Sequence, residues 1–195
     1  MNVWVDGRER QDLSRLGSAA EILGALEAEA ARSGMVIMEV RADGVAMEPE
    51  AFRDILGGRE ARFTLMSLRT LVRESLDEAL AYSRRLRDGI ESIASRFEEG
   101  KDPEARDMLT QAIDGLDWLL SAYEHCRILM SAPLVPEEEA ALRSGLLSAV
   151  ERLLAQAGGE RRRDMARTLR QDFLPRVEML SFRLGELSSF RMDPQ

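Results

Sequence analysis

LRTLVRESLDEALAYSRRLRDGIESIASRFE, residues 68–98, places Val72, Leu76, Ala79, Ser83, Leu86, Ile90, Ile93 and Phe97 at intervals that alternate between four and three. That spacing keeps one stripe of a helix turned toward a neighbouring helix, so the segment predicts a long amphipathic rod. Gly100-Lys101-Asp102-Pro103 breaks it, with Asp102 expected as the N-cap and Pro103 as the first helical residue of the next rod. A second seam then runs through Leu109, Ala112, Leu116, Leu119, Tyr123, Cys126 and Met130. The two rods make an αα-hairpin.

Further along, Ser131 to Val135 reads as a turn, and Pro136 followed by Glu137, Glu138 and Glu139 puts negative charge where a helix dipole favours it. The third rod carries Leu142, Leu146, Ala149, Val150, Leu153 and Leu154 up to Gly158-Gly159. The fourth carries Met165, Leu169, Phe173, Val177, Leu180, Leu184 and Leu187, and because this series continues past Pro175 a kink is expected there in place of a break. The first, second and fourth rods should be roughly 40 to 46 Å long and the third only about 31 Å. The shortfall predicts an apolar groove lacking its fourth wall at Ile93, Phe97, Met108 and Leu109, a candidate partner-binding surface unless the 98–104 loop or the start of the fourth rod closes it. Phe182, Leu187 and Phe190, near the end of the fourth rod, are expected to dock against the N-terminal domain.

Upstream of residue 68 the period changes to two. Asn2 to Val5 and Arg8 to Leu13 read as strands joined by Asp6-Gly7, a dipeptide suited to the positive φ angles of a type I′ turn. Ser18 and Glu21 form a capping box for a helix over about Ala19 to Ser33, which Gly34 ends. Met35 to Arg41 and Val45 to Met47 repeat the hairpin signal around Asp43-Gly44, Pro49 to Leu56 suggests a short helical turn, and Ala61 to Met66 a last strand. This order resembles the topology of ubiquitin-like β-grasp domains. The resemblance implies a small α+β domain over residues 1–66, followed by an antiparallel four-helix bundle over residues 67–195. Gly57-Gly58 lies ahead of a strand and is not a chain end, so the carrier chemistry of ubiquitin-like proteins is not expected.

The chain has 195 residues, 45% hydrophobic and 32% charged, enough to bury a substantial core. Its net charge of -8 is shared equally by residues 1–66 and the remainder, which argues against a nucleic-acid backbone or an anionic membrane as partner. The start MNVWVDGRER has neither the basic opening nor the apolar run of a signal peptide, so a cytoplasmic location is expected. One cysteine, Cys126, and one histidine, His125, exclude an intrachain disulfide and a metal site built on two imidazoles of one chain. No cofactor is expected, since phosphate-binding loops, dinucleotide fingerprints and nucleophile elbows are absent in their required contexts.

Asp107, Asp114 and Asp117 fall on one helix, but flank its seam without converging inward as bundle metal sites require. Trp4, Trp118 and Tyr123 read as core or helix-interface residues. Arg161, Arg162, Arg163, Arg167 and Arg170 form the one basic concentration, a candidate site for an anion or an acidic partner segment. The expectation is a non-enzymatic bacterial interaction protein, an adaptor, chaperone-like or assembly factor, binding a protein through the helical bundle or a sheet edge, with a homodimer possible. The alternative is an enzyme with a metal or cofactor site between helices or at a dimer interface.

Overall fold

The computed structural model describes residues 1–133, 136–156 and 162–190. It is an α+β protein with a small N-terminal mixed sheet and a mostly helical remainder. The chain divides into two compact units, Met1–Leu71 and a second from Val72 onward.

In the first unit β1 (Asn2–Val5) and β2 (Arg8–Glu9) form a hairpin, with Asp6 at φ 49° and Gly7 at φ 76°. The expected second strand, Arg8 to Leu13, stops after two residues, and Gln11–Ser14 forms a short helix, α1. At the change of direction the Arg10 guanidinium bonds Asp12 and also reaches Glu29 at 2.8 Å, while Ser14 Oγ accepts from the Val3 amide. The helix α2 (Ala19–Arg32) is capped as expected, by Ser18 Oγ accepting from the Glu21 amide.

After α2 come β3 (Met35–Ala42), β4 (Val45–Met47), α3 (Pro49–Arg53) and β5 (Glu60–Ser67), giving the strand order β2-β1-β5-β3-β4. β5 pairs parallel with β1 and antiparallel with β3. Both hairpin aspartates reach beyond their own turns to this central strand. Asp6 Oδ1 accepts from the Leu65 amide at 2.8 Å, and Asp43 Oδ1 accepts from the Arg59 and Glu60 amides at 2.9 Å. One face of the sheet buries Val3, Val5, Val40, Ala42, Ala61 and Phe63 against Ile22, Leu23, Leu26 and Phe52. Trp4 is therefore not core: it stands on the other face, half-buried, beneath the Arg62 guanidinium at 5.5 Å.

The helical part consists of α4 (Leu68–Glu98), α5 (Asp102–Leu129), α6 (Pro136–Gln156), α7 (Arg162–Thr168), a π-helical turn (Leu169–Phe173) and α8 (Leu174–Ser189). Every seam residue of α4 named above is buried, as are those of α5 and of the last rod. Lys101, not Asp102, occupies the cap position of α5, so Pro103 lies one residue further in than expected. Side-chain pairs set the helix directions. Tyr82 meets Trp118 while Arg96 meets Glu104, so α4 and α5 run antiparallel. Arg143–Glu124 and Tyr123–Glu139 link α5 to α6, while Arg183–Glu138 with Arg152–Asp172, and Ser83–Ser181 with Arg170–Glu91, show the last rod running antiparallel to α6 and to α4.

The chain stays helical through Pro175. Its missing N–H is accommodated by the wider turn just before it, where the Leu174 amide bonds the Leu169 carbonyl five residues back and the Arg176 guanidinium takes the Asp172 carbonyl. Among the described residues no helix is long and apolar enough to cross a membrane.

Candidate functional site

Ile93 and Phe97 are 1% exposed and Leu109 is 4%, with Met108 half-buried, so the expected open groove is a filled part of the interior. The reason is α7. Its first turn reaches back over this end, Arg162 Nε bonding Asp102 Oδ2 at 2.8 Å and Met165 entering the core at 1% exposure. Ile93, Phe97 and Leu109 are packing residues with almost no exposed surface, and Met108 is half-buried beside them. Leu187 is buried, whereas Phe182 and Phe190 are exposed.

The arginine concentration divides into two kinds. Arg161 lies outside the described residues. Arg162 is held by Asp102, and Arg170 is held by Glu91 at 2.8 Å, Glu98 at 2.6 Å and Ser95 at 3.1 Å, which raises its pKa through the bonds to Glu91 and then Glu98. Arg163 and Arg167 are exposed and make no ion pair among the described residues. With Glu98, Arg170 and Gln171 they line a depression of about 520 Å³. Two guanidiniums without an ion pair among the described residues could meet an anion there, although Glu98 and Arg170 already neutralise each other.

A different surface, which matches no sequence motif, carries the more specific chemistry. Tyr82 on α4 and Trp118 on α5 pack edge to face, with ring centroids 5.4 Å apart and planes at 76°. Such pairs contribute about 0.5–1.5 kcal/mol beyond their buried area. Trp118 remains 41% exposed, so of the two residues read as core or interface only Tyr123, at 7%, is buried. Gly115 makes this arrangement possible. A Cβ built on it would lie 1.8 Å from Tyr82 Oη and 2.6 Å from Cζ, so the phenol rests directly on the α5 backbone. The Arg85 guanidinium covers one face of Tyr82 at 5.3 Å.

Together Glu78, Tyr82, Gln111, Asp114, Gly115 and Trp118 line an open, shallow recess of about 450 Å³. Glu78 and Asp114 are exposed and have no hydrogen bond or ion pair among the described residues. The recess thus offers two aromatic surfaces and two unanswered carboxylates. Helical glycines off the seam were its sequence signal, because glycine inside a helix costs stability unless something approaches closely.

Two buried titratable groups elsewhere serve packing. Burial, and then Glu139 at 3.3 Å, pushes the Tyr123 phenol up, and burial pushes the Cys126 thiol up. His125 is exposed, as are Asp107, Asp114 and Asp117. No group of three or more His, Cys, Asp or Glu among the described residues is placed to hold a metal ion.

No curated protein and no solved structure is significantly similar to the chain. The match that exists begins within the first turns of α4 and ends within α8, so it takes in both rings of the recess. A family model described as a domain of unknown function (DUF8042) matches residues 74–181, just over half of the chain, and the chain belongs to that family.

Proposed function

We propose that this protein is a non-enzymatic interaction protein, an adaptor, chaperone-like or assembly factor, which binds a partner protein through the recess between α4 and α5. The observation that supports this reading is an exposed tryptophan held in a fixed edge-to-face pair above a glycine. Large, rigid aromatic side chains bury much area at little entropic cost and dominate the energy of protein interfaces. The test compares capture of proteins from native lysate by the parent chain, by Trp118→Ala and by a control, Arg87→Ala, on an exposed part of α4. The reading expects a stoichiometric partner retained by parent and control and lost by Trp118→Ala. Capture indifferent to Trp118 would sink it.

The finer architecture belongs to the same proposal. The cross-helix pairs favour an antiparallel four-helix bundle in which α7, the π turn and α8 act as one rod. The strand order β2-β1-β5-β3-β4 favours a β-grasp-like first unit. A cytoplasmic setting fits the acidic balance of the chain.

A second reading rests on Arg163 and Arg167, whose charges are unanswered among the described residues: an acidic segment of a partner docks at that depression. Arg163→Glu with Arg167→Glu then weakens capture more at low salt than at high salt. An equal effect at all ionic strengths counts against it.

A further inference from the structure

Building on the docking reading above, we propose that the recess between α4 and α5 receives the guanidinium of an arginine side chain presented by the partner protein. Charge complementarity identifies the occupant. Glu78 and Asp114 line the recess and answer no cation among the described residues, although arginines elsewhere in the chain pair readily with acids.

The aromatic lining makes the demand more specific. An arginine stem lying on Trp118 covers apolar ring surface, while its planar head, weakly hydrated, stacks on an aromatic face and forks toward carboxylates. Lysine presents a compact, strongly hydrated ammonium that stacks less well. Among the described residues the chain already stacks arginine on an aromatic ring twice, Arg62 over Trp4 at 5.5 Å and Arg85 over Tyr82 at 5.3 Å. Arg85 is not among the side chains lining the recess, so it leaves the two carboxylates to a visitor. Gly115 contributes by allowing Tyr82 to lie against α5, which fixes the ring that forms one wall.

The probe is acetyl-Ala-Arg-Ala-amide, compared with its lysine and citrulline counterparts. Citrulline keeps the shape of arginine and removes the charge. The full chain carries Trp4→Phe, so that indole fluorescence and the indole N–H signal report Trp118 alone. The arginine peptide is expected to shift both signals saturably with a Kd of about 1 mM or tighter. The lysine peptide binds several-fold more weakly, and the citrulline peptide does not saturate. Glu78→Gln combined with Asp114→Asn weakens the arginine peptide about tenfold while the unfolding midpoint stays put, because both residues are exposed.

Equal binding of arginine and citrulline peptides, or unchanged affinity in the double amide, overturns the proposal. If Trp118→Ala abolishes partner capture but the arginine peptide leaves Trp118 silent, the arginine assignment fails and the docking reading stands. If the peptide binds but capture ignores Trp118→Ala, the docking reading fails and the proposed occupant fails with it.

Discussion

Gly115 is the residue whose substitution separates the recess from the stability of its helix. Alanine there gains about 1 kcal/mol of helix propensity but forces the Tyr82 phenol off the α5 backbone, losing an aromatic contact of similar size. Gly115→Ala is therefore expected to change the urea midpoint little, a stability shift below about 1 kcal/mol, while altering the Trp118 emission and the near-ultraviolet circular dichroism. A large loss of stability would mean that Tyr82 cannot swing outward. Arg10 offers a second test at this scale. Its bonds hold the Asp12 carboxyl at about 2, down from the ordinary 3.8, and lower Glu29 as well. A depressed carboxyl stabilises the fold above its unfolded pKa, and that contribution is lost as pH falls through the folded value. Between about pH 4 and pH 2 the parent sheet unit should lose stability more steeply than Arg10→Met, and carbon-detected titration of Asp12 should rise toward its ordinary value in the variant. Both groups are largely solvated, so the effect stays small.

Among elements, the last rod repays attention to spacing. Met165, Leu169, Phe173 and Val177 stand four apart three times in succession, and only then do threes and fours alternate. Repeated fours overrun a regular helix by about 40° each, and the π turn at Leu169–Phe173 absorbs the excess. Deleting the exposed Gln171 together with Pro175→Ala restores alternating intervals, and this variant is expected to melt within about 5 °C of the parent. Removing the exposed Glu91 from α4 should unfold the helical unit, because half of an already regular seam is turned by about 100°. The sequence therefore made the rods legible, since burial repeats at fixed intervals, whereas the π turn replaces the kink expected at Pro175. Left obscure was whatever depended on two elements meeting at one level. Arg10 reaches Glu29 where β2 ends, and Arg162 reaches Asp102 at the end of the α4–α5 hairpin, both contacts between residues distant along the chain. The recess was hidden for the same reason: Tyr82 and Trp118 lie on separate helices, off both seams, and only the glycine between them left a trace.

For the molecule as a whole, the two units differ in how their cores are assembled. The core of the first is drawn from Val3 to Phe63, without a residue from α4 to α8. A fragment of residues 1–71 is expected to fold by itself with modest stability, as domains of about 60 residues do, giving dispersed amide signals and cooperative urea unfolding. A fragment with collapsed, overlapping signals would show that the core needs the rest of the chain. In the helical unit one seam residue has a different use. Cys126 is the sole thiol, buried 3% exposed among apolar neighbours and pushed up in pKa, so a disulfide reagent can reach it only when α5 parts from its neighbours. The labelling rate is thus a built-in clock for opening, and its slowing in the presence of a ligand would register occupancy of the helical unit without any attached dye.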